Sequence, residues 1–135
     1  MKVMGLDLGD ARTGVALSDE LKFLAQSYGT IYNDSKEDLI EKLAPIIKEN
    51  NVGEVVIGLP KNMNGTIGER GELAKEFSEI IKEKFGLKVI LWDERLTTVS
   101  AHKLLNEVNV RGKKRKNVVD TVSAVFILQC YLDSL

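Results

Sequence analysis

The sequence has few of the residues that cross-link a protein or bind soft metals. Of its 135 residues, one is cysteine, one is histidine and two are proline. A single cysteine excludes an internal disulfide, which fits a reducing cytoplasm. The lone histidine, His102, lies in a polar stretch typical of a helix surface. We therefore expect neither a histidine metal site nor a Ser/His triad.

Long apolar runs are also absent. None approaches the roughly 20 residues that a membrane helix needs. The N-terminus leads straight into strand-like residues, so we expect no signal peptide. Hydrophobic content of 44% and charged content of 29% are ordinary for a globular protein. We expect one cytoplasmic domain over residues 1–135, with no membrane partner and with Cys130 buried in the core.

Positive charge is concentrated in one place. The net charge is only -1, but five of the six residues from 111 to 116 are basic, which leaves 14 basic residues against 20 acidic ones elsewhere. Such a cluster is typical of segments that bind phosphate backbones. We interpret it as a flexible basic loop; a plain solvated loop is the alternative. Its basic members are Arg111, Lys113, Lys114, Arg115 and Lys116.

The first third of the chain has the pattern of three strands, predicted over residues 2–8, 15–18 and 23–32. Their short connections favour antiparallel neighbours. Gly9 and Gly14 bound the first turn, because glycine adopts turn conformations that other residues avoid.

The rest of the chain alternates between helical and strand-like periods. Ser35 is predicted to cap a first helix with help from Asp38, and Pro45 to kink or divide that helix. Asn117 is predicted to cap the last helix. The other elements are strands over 54–59 and 88–92, a helix carrying 73–81 that ends near Gly86, and a helix starting at Thr97 or Thr98. This order predicts an α/β fold with a five-stranded mixed sheet, three antiparallel strands followed by parallel β-α units, and helices on both faces.

Three acids lie in local contexts that suit metal chemistry. Asp7 and Glu94 are predicted at strand ends and Asp120 in the first turn of a helix, which is where sites lie in such sheets. A carboxylate in an apolar run is costly to desolvate unless a positive charge compensates it. Mg²⁺ takes hard oxygen ligands from a few carboxylates. Convergence of the three acids would make a phosphodiester-cleaving site.

Each acid also has a purely structural interpretation. Asp7 would pair with Arg12 or accept bonds from the turn. Glu94 would favour the start of the next helix, and Asp93 beside it is equally acidic. Asp120 would stabilise the helix that Asn117 caps.

Two glycines beside Asp7 favour the functional interpretation. Gly5 and Gly9 flank it, and glycine in a strand permits close approach of another backbone. We expect that backbone to belong to the substrate.

Four motifs, in order across nearly the whole chain, resemble those of the YqgF (RuvX-type) family of ribonuclease H-like nucleases. This family is described as Holliday junction resolvases and as nucleases that mature the small-subunit ribosomal RNA precursor. The motifs are Gly5-Leu6-Asp7-Leu8-Gly9, Val56-Ile57-Gly58-Leu59-Pro60, Asp93-Glu94-Arg95-Leu96-Thr97-Thr98 and Asp120-Thr121-Val122-Ser123-Ala124. The resemblance implies a ribonuclease H-like fold. It also implies that Asp7, Glu94 and Asp120 are both the catalytic residues and the metal ligands, and it selects Glu94 over Asp93.

The resemblance implies metal-dependent hydrolysis of nucleic acid with Mg²⁺ or Mn²⁺, through two ions. The favoured reaction is maturation of the 5′ end of pre-16S rRNA, for which a monomer suffices. One alternative is resolution of Holliday junctions, for which a symmetric homodimer is expected. The others are a nucleic-acid binding module without activity and a phosphotransferase of the actin and sugar-kinase type, which needs two such domains. Besides the basic run, the expected nucleic-acid contacts are Arg12, Lys61, Asn62, Asn64 and Arg95.

Overall fold

A mixed sheet flanked by helices forms the body of the protein. The computed structural model describes residues 1–60, 65–93 and 112–135, and from 112 to 121 it describes the helical backbone only. The strands are β1 (Lys2–Leu8), β2 (Arg12–Ser18), β3 (Ala25–Tyr32), β4 (Val52–Leu59) and β5 (Lys88–Asp93). The helices are α1 (Lys36–Glu49), α2 (Glu69–Phe85) and α3 (Gly112–Asp133). None of the helices in these ranges is long and apolar enough to cross a membrane.

The strands form one five-stranded sheet in the order β3-β2-β1-β4-β5. The pairs β1–β2 and β2–β3 are antiparallel, and β1–β4 and β4–β5 are parallel. The predicted mixed sheet is therefore confirmed. β2 begins earlier than predicted, because Thr13 and Gly14 continue the ladder opposite Leu8 and Asp7. The turn after β1 is correspondingly shorter.

Helices cover both faces of the sheet, as predicted. Alternate residues of a strand point to opposite faces. On β1, Met4 and Leu6 join the core beneath α1 and α2, and Val3 joins a second core beneath α3. Because α3 packs on one face and α1 and α2 on the other, the carboxyl ends of β1, β4 and β5 form an edge between two helical layers.

α1 starts as predicted but is not divided. The Ser35 side chain accepts a 3.1 Å hydrogen bond from the Asp38 amide, and Asp38 accepts one from the Asp34 amide. The prediction of a helix in two pieces at Pro45 is wrong, since α1 runs without interruption to Glu49. Pro45 and Glu41, one turn before it, are both exposed, so the carbonyl that loses its amide partner faces water. α2 ends as predicted at Gly86, which takes a left-handed φ of 65°.

α3 differs from the prediction at its start. It begins at Gly112, not after an Asn117 cap, so residues 112–116 of the basic run are helical and the prediction of a basic loop is wrong there. Lysine and arginine are good helix formers, and their propensity outweighs the cap signal of asparagine. The prediction that Cys130 is buried is also wrong, because it lies off the buried row of the helix and is exposed. The helix predicted from Thr97 or Thr98, with His102, lies outside the described residues.

Candidate active site

Asp7 lies near the carboxyl end of β1, on the face that α3 covers. Its direct partner across the antiparallel ladder is Gly14 on β2. On the other side, Leu6 pairs with Ile57 of β4, and the residue after Ile57 is Gly58. Paired residues of neighbouring strands point to the same face, so Asp7 has a glycine beside it on both adjacent strands. Neither of these two positions therefore adds a side chain beside the half-buried Asp7 carboxyl group.

α3 runs antiparallel to β1 and lies very close to it. A Cβ atom placed on Gly5 would be 2.8 Å from Leu128 Cβ and 3.0 Å from the Ala124 carbonyl oxygen. Further along α3, the Tyr131 hydroxyl contacts Glu54, which is paired with Val3 on β1. Moving toward the start of α3 therefore means moving toward the Asp7 end of β1.

This direction brings the backbone of Asp120 to the level of Asp7. Asp120 lies four residues before Ala124, which is about 6 Å along the helix axis. From Gly5 to Asp7 the strand advances about 7 Å. The two predicted site residues thus lie at the same end of the sheet on facing elements. The side chain of Asp120 lies outside the described part of the chain.

The early start of α3 removes one structural explanation of Asp120. That explanation required Asp120 to lie in the first turn of a helix capped by Asn117. The helix instead begins at Gly112, more than two turns earlier. Helix-dipole stabilisation of an acid falls off within about the first turn. Asp120 is therefore not explained by stabilisation of a helix start.

The structure also distinguishes Asp93 from Asp7. Asp93 ends β5 and pairs with Leu59, whose side chain belongs to the core beneath α1 and α2. Asp93 therefore lies on the face of the sheet opposite to Asp7. Trp92, one residue earlier, packs in the core beneath α3. Glu94, the predicted ligand on this strand, lies outside the described residues.

The expectation that Gly5 and Gly9 make room for substrate is wrong. The space at Gly5 is filled by Leu128 and Ala124 of α3. The space at Gly9 is filled by Arg12, whose carbonyl oxygen would be 2.4 Å from an added Cβ and accepts a 2.8 Å bond from the Gly9 amide. Sequence reasoning missed Gly14 and Gly58, which are the glycines beside Asp7. Glycine within a strand is the signal that would have indicated them.

A polar network at the far end of α3 fixes the helix on the sheet. The Tyr131 hydroxyl donates a 2.6 Å hydrogen bond to Glu54 Oε2, and Lys22 Nζ lies 3.2 Å from Glu54 Oε1. Burial, followed by the bond to Glu54 and its charge, raises the pKa of Tyr131 to about 12. Burial also acts to raise the pKa of Glu54, but the bonds from Tyr131 and Lys22 outweigh it and leave that pKa lowered. The Tyr131 ring also meets Trp92 edge to face, with centroids 6.1 Å apart.

Gln129 provides a second attachment of α3, to the connection between β2 and β3. Its Oε1 accepts a 2.9 Å hydrogen bond from the Ala25 amide, and its Nε2 donates one of 2.9 Å to the Phe23 carbonyl. Asp19 holds the same connection by accepting from the Phe23 and Leu24 amides. Together with the Tyr131 network, this anchors the carboxyl-terminal half of α3 to both sides of β1.

The predicted nucleic-acid contacts are only partly described. Arg12 is half-buried at the start of β2, opposite Tyr32, and so lies close to the turn that follows Asp7. The helical backbone places Lys113, Lys114, Arg115 and Lys116 in the first turns of α3, at the same end of the molecule as Asp7. Their side chains, together with Lys61, Asn62, Asn64, Arg95 and Arg111, lie outside the described part of the chain.

The described residues fit a divalent cation at this edge. A carboxylate is the ligand type that Mg²⁺ prefers, and neither Gly14 nor Gly58 adds a side chain beside that of Asp7. Among the described residues no three of His, Cys, Asp and Glu gather into a metal-binding group. Asp7 is the one predicted ligand whose side chain falls within those residues.

Sequence comparison gives matches along the full chain. The RuvX family, described as Holliday junction resolvase, matches residues 1–134. A protein of Clostridium novyi is 49% identical over the whole of both chains, and one of Staphylococcus haemolyticus is 52% identical over 99% of this chain and 96% of that one. A protein of Bacillus subtilis is 47% identical over 100% and 99%. All three are named as pre-16S rRNA nucleases.

Structural comparison identifies the same fold in resolvases of low sequence identity. The fowlpox virus Holliday junction resolvase matches with a TM-score of 0.62 and 13% identity, and all of both chains is covered. Thermus thermophilus RuvC in complex with a Holliday junction substrate matches with a TM-score of 0.60 and 12% identity, over 99% of this chain and 95% of that one. These likenesses establish a ribonuclease H-like, RuvC-type fold, as the sequence motifs implied.

Proposed function

The chain belongs to the RuvX family, and from this membership and the geometry around Asp7 we propose that it is a metal-dependent nuclease that matures the 5′ end of pre-16S rRNA. Relatives about 50% identical over nearly their whole length are named as pre-16S rRNA nucleases. Their names favour a nuclease over a binding module without activity or a phosphotransferase. We propose that the reaction takes place in the cytoplasm and that residues 1–135 act as one domain.

One structural observation carries the assignment of the site. Asp7 stands between two glycines near the carboxyl end of β1, and the helix that contains Asp120 begins at the same end of the sheet. An acid that faces a second acid-bearing element is suited to share a divalent cation. Asp93 lies on the opposite face and is not suited to this role, which supports the adjacent Glu94 as the third ligand.

Each residue of the proposed site has a role. Asp7, Glu94 and Asp120 would together hold the divalent ions, proposed to be two. When bound, the ions would supply activation of the attacking water and stabilisation of the leaving oxygen. The negative charge of the three acids repels in the absence of cations, so the acids themselves favour ion binding. Arg12, Arg95, the polar residues Lys61, Asn62 and Asn64, and the basic run from 111 to 116 would hold the phosphate backbone.

The experiment is a cleavage assay on an RNA that spans the 5′ end of 16S rRNA and its precursor extension, with Mg²⁺ or Mn²⁺. The variant is Asp7→Asn, which keeps the shape of the side chain and removes its charge. We expect cleavage to fall about 10²-fold or more, since electrostatic stabilisation of the transition state is lost. The control is Asp10→Asn, in the same turn and exposed, which should cleave like wild type. Equal cleavage by Asp7→Asn and wild type would reject this site.

Holliday junction resolution is the second candidate, and the RuvX family description together with the RuvC-type fold favours it. Cutting two strands symmetrically requires a two-fold arrangement, so this function predicts a homodimer. A four-way DNA junction in the same assay, with the molecular mass measured by light scattering, distinguishes the two. Paired symmetric cuts by a dimer would favour resolution, and RNA cleavage by a monomer would favour rRNA maturation.

A further inference from the structure

We propose that Gly5 is a positioning residue of the metal site: by lacking a side chain it sets how close the Asp120-bearing helix lies to the Asp7-bearing strand. This inference rests on the proposed function, because it concerns the ligand set assigned there. Gly5 itself touches neither substrate nor metal. Its effect is transmitted through the backbone separation of β1 and α3.

The contacts at Gly5 leave no room for a side chain. The distance of 2.8 Å from an added Cβ to Leu128 Cβ is shorter than two carbon atoms can approach, since such contacts are optimal at roughly 3.5–4.0 Å. The second contact, 3.0 Å to the Ala124 carbonyl oxygen, is with the helix backbone. Neither atom is the flexible end of a side chain. A methyl group at position 5 therefore has to move the helix or the strand.

The site lies directly beyond this contact. Asp7 is two residues further along β1, and Asp120 is one helical turn before Ala124. The far half of α3 is fixed by Tyr131 on Glu54 and by Gln129 on Phe23 and Ala25. Displacement at Ala124 therefore tilts the helix about these attachments and is passed to the end that bears Asp120.

A small displacement matters because Mg²⁺ tolerates little variation in the geometry of its ligands. It requires near-octahedral geometry with oxygen atoms at about 2.0–2.1 Å. Carboxylates from two separate elements satisfy that distance only if the spacing of the elements is fixed. A shift of α3 by roughly 0.7 Å, which would bring the 2.8 Å contact at Gly5 to the lower end of the optimal range, is therefore expected to weaken ion binding more than it disturbs the fold.

The experiment measures metal response without relying on activity alone. Gly5→Ala and wild type are titrated with Mg²⁺ in the absence of RNA, and the rise of the thermal unfolding midpoint is recorded, because an ion that binds only the folded state stabilises it. The Mg²⁺ dependence of RNA cleavage is measured in parallel. We expect Gly5→Ala to need about tenfold more Mg²⁺ for the same rise of the unfolding midpoint and for half-maximal cleavage, as when residues that support metal ligands are changed.

The matched control is Gly53→Ala. Gly53 is also a strand glycine of the central sheet, on β4, but the three atoms nearest to its added Cβ all belong to the side chain of the N-terminal Met1, the nearest at 2.7 Å. Met1 is exposed and can move aside. We expect Gly53→Ala to keep the Mg²⁺ response of wild type. An equal shift in both variants, or no shift in Gly5→Ala, would overturn the proposal.

A second pair of variants acts from the helix side if Gly5→Ala does not fold. Leu128→Ile conserves volume but adds a branch at the carbon nearest Gly5, and Leu132→Ile makes the same change one turn further along the buried face. A higher Mg²⁺ requirement for Leu128→Ile alone supports the proposal, and equal requirements in the two variants contradict it.

Asp7→Asn, measured alongside, separates the two hypotheses. If it retains cleavage and metal response, the proposed function itself fails. If it loses both and Gly5→Ala retains both, only the positioning role fails.

Discussion

Asp7 lies directly opposite Gly14 in the antiparallel ladder between β1 and β2. Gly14 adds no side chain on the β2 side of the carboxylate, and Gly58 adds none on the β4 side. The arrangement connects a local feature of the sequence, glycine inside strands, to the space that ions and a phosphodiester would need.

The first prediction concerns Gly14→Ala. The added methyl group would stand beside the Asp7 carboxylate on the same face of the sheet. We expect metal-dependent cleavage to fall by roughly 10–100-fold, as when the surroundings of a metal ligand are disturbed. Urea unfolding should show little change, because alanine is acceptable in a strand. The measurement is the RNA cleavage rate at saturating Mg²⁺, and a wild-type rate would show that the reaction does not need a glycine at position 14.

The second prediction concerns Tyr131→Phe. The variant removes the 2.6 Å hydrogen bond to Glu54 and leaves that carboxylate with the Lys22 contact. We expect the free energy of unfolding at neutral pH to fall by about 1.5–3 kcal/mol, as for a hydrogen bond to a charged group. Urea unfolding measures it, with Tyr28→Phe on the exposed side of β3 as the control. Equal losses in both variants would contradict the role of the network.

The third prediction is the pH dependence of the same pair. The pKa of Tyr131 is raised from 10.0 to about 12, so the folded protein holds this proton more tightly than the unfolded chain. The contribution to stability is complete below pH 10.0 and is lost as the pH rises toward about 12. The pKa of Glu54 is lowered from 4.5, so its contribution is present above pH 4.5 and is lost as the pH falls through the folded value.

Urea unfolding over a pH series checks both ends of this profile. The stability difference between wild type and Tyr131→Phe should shrink in strong alkali and in acid. A difference that stays constant across the series would contradict the linkage.

Much of this fold follows from its sequence, for identifiable reasons. The pattern of apolar residues predicted all five strands, and their connections predicted a mixed sheet. The Ser35 cap predicted the start of α1. The start of α3 was not predicted correctly, because Asn117 gives a cap signal while the basic residues before it have high helix propensity. Local pattern alone does not decide between such competing signals.

The candidate site was likewise predicted only in part. The sequence indicated Asp7 at a strand end, and the structure places it there. Strand periodicity could not choose between Asp93 and Glu94, because that choice depends on where β5 ends. In the structure, Asp93 lies on the face of the sheet opposite to Asp7. The role of Gly5 was also misjudged, since only the packing of α3 shows which backbone approaches it.

The fourth prediction concerns Gln129→Glu. The new carboxylate still accepts from the Ala25 amide, but it loses the donor to Phe23 and comes to lie beside Asp133, 2.9 Å from the present Nε2. We expect a loss of about 1–2 kcal/mol in unfolding free energy at neutral pH, which lessens in acid as the carboxylates are protonated. Gln26→Glu, exposed on β3, is the control and should be near neutral. Chemical denaturation measures the unfolding free energy of both variants, and equal losses would contradict the prediction.

The fifth prediction concerns the basic run. Replacing Lys113, Lys114 and Lys116 by glutamine keeps helix propensity and removes three charges. We expect RNA affinity to fall and its dependence on salt to weaken, by about 0.7–0.9 in the log–log slope for each phosphate that the variant no longer neutralises. The same replacement at the exposed Lys48, Lys82 and Lys84 removes equal charge elsewhere. An unchanged slope, or an equal change in both triple variants, would show that the run does not bind phosphate.

The most direct test of the shared-ion site is crystallography of the protein with Mn²⁺, using anomalous scattering to locate the ions. The account predicts at least one ion at the carboxyl end of β1, bound by the Asp7 carboxylate together with those of Glu94 and Asp120. Ions bound away from Asp7, or either of the other two acids lying on the opposite face of the sheet from it, would contradict the account.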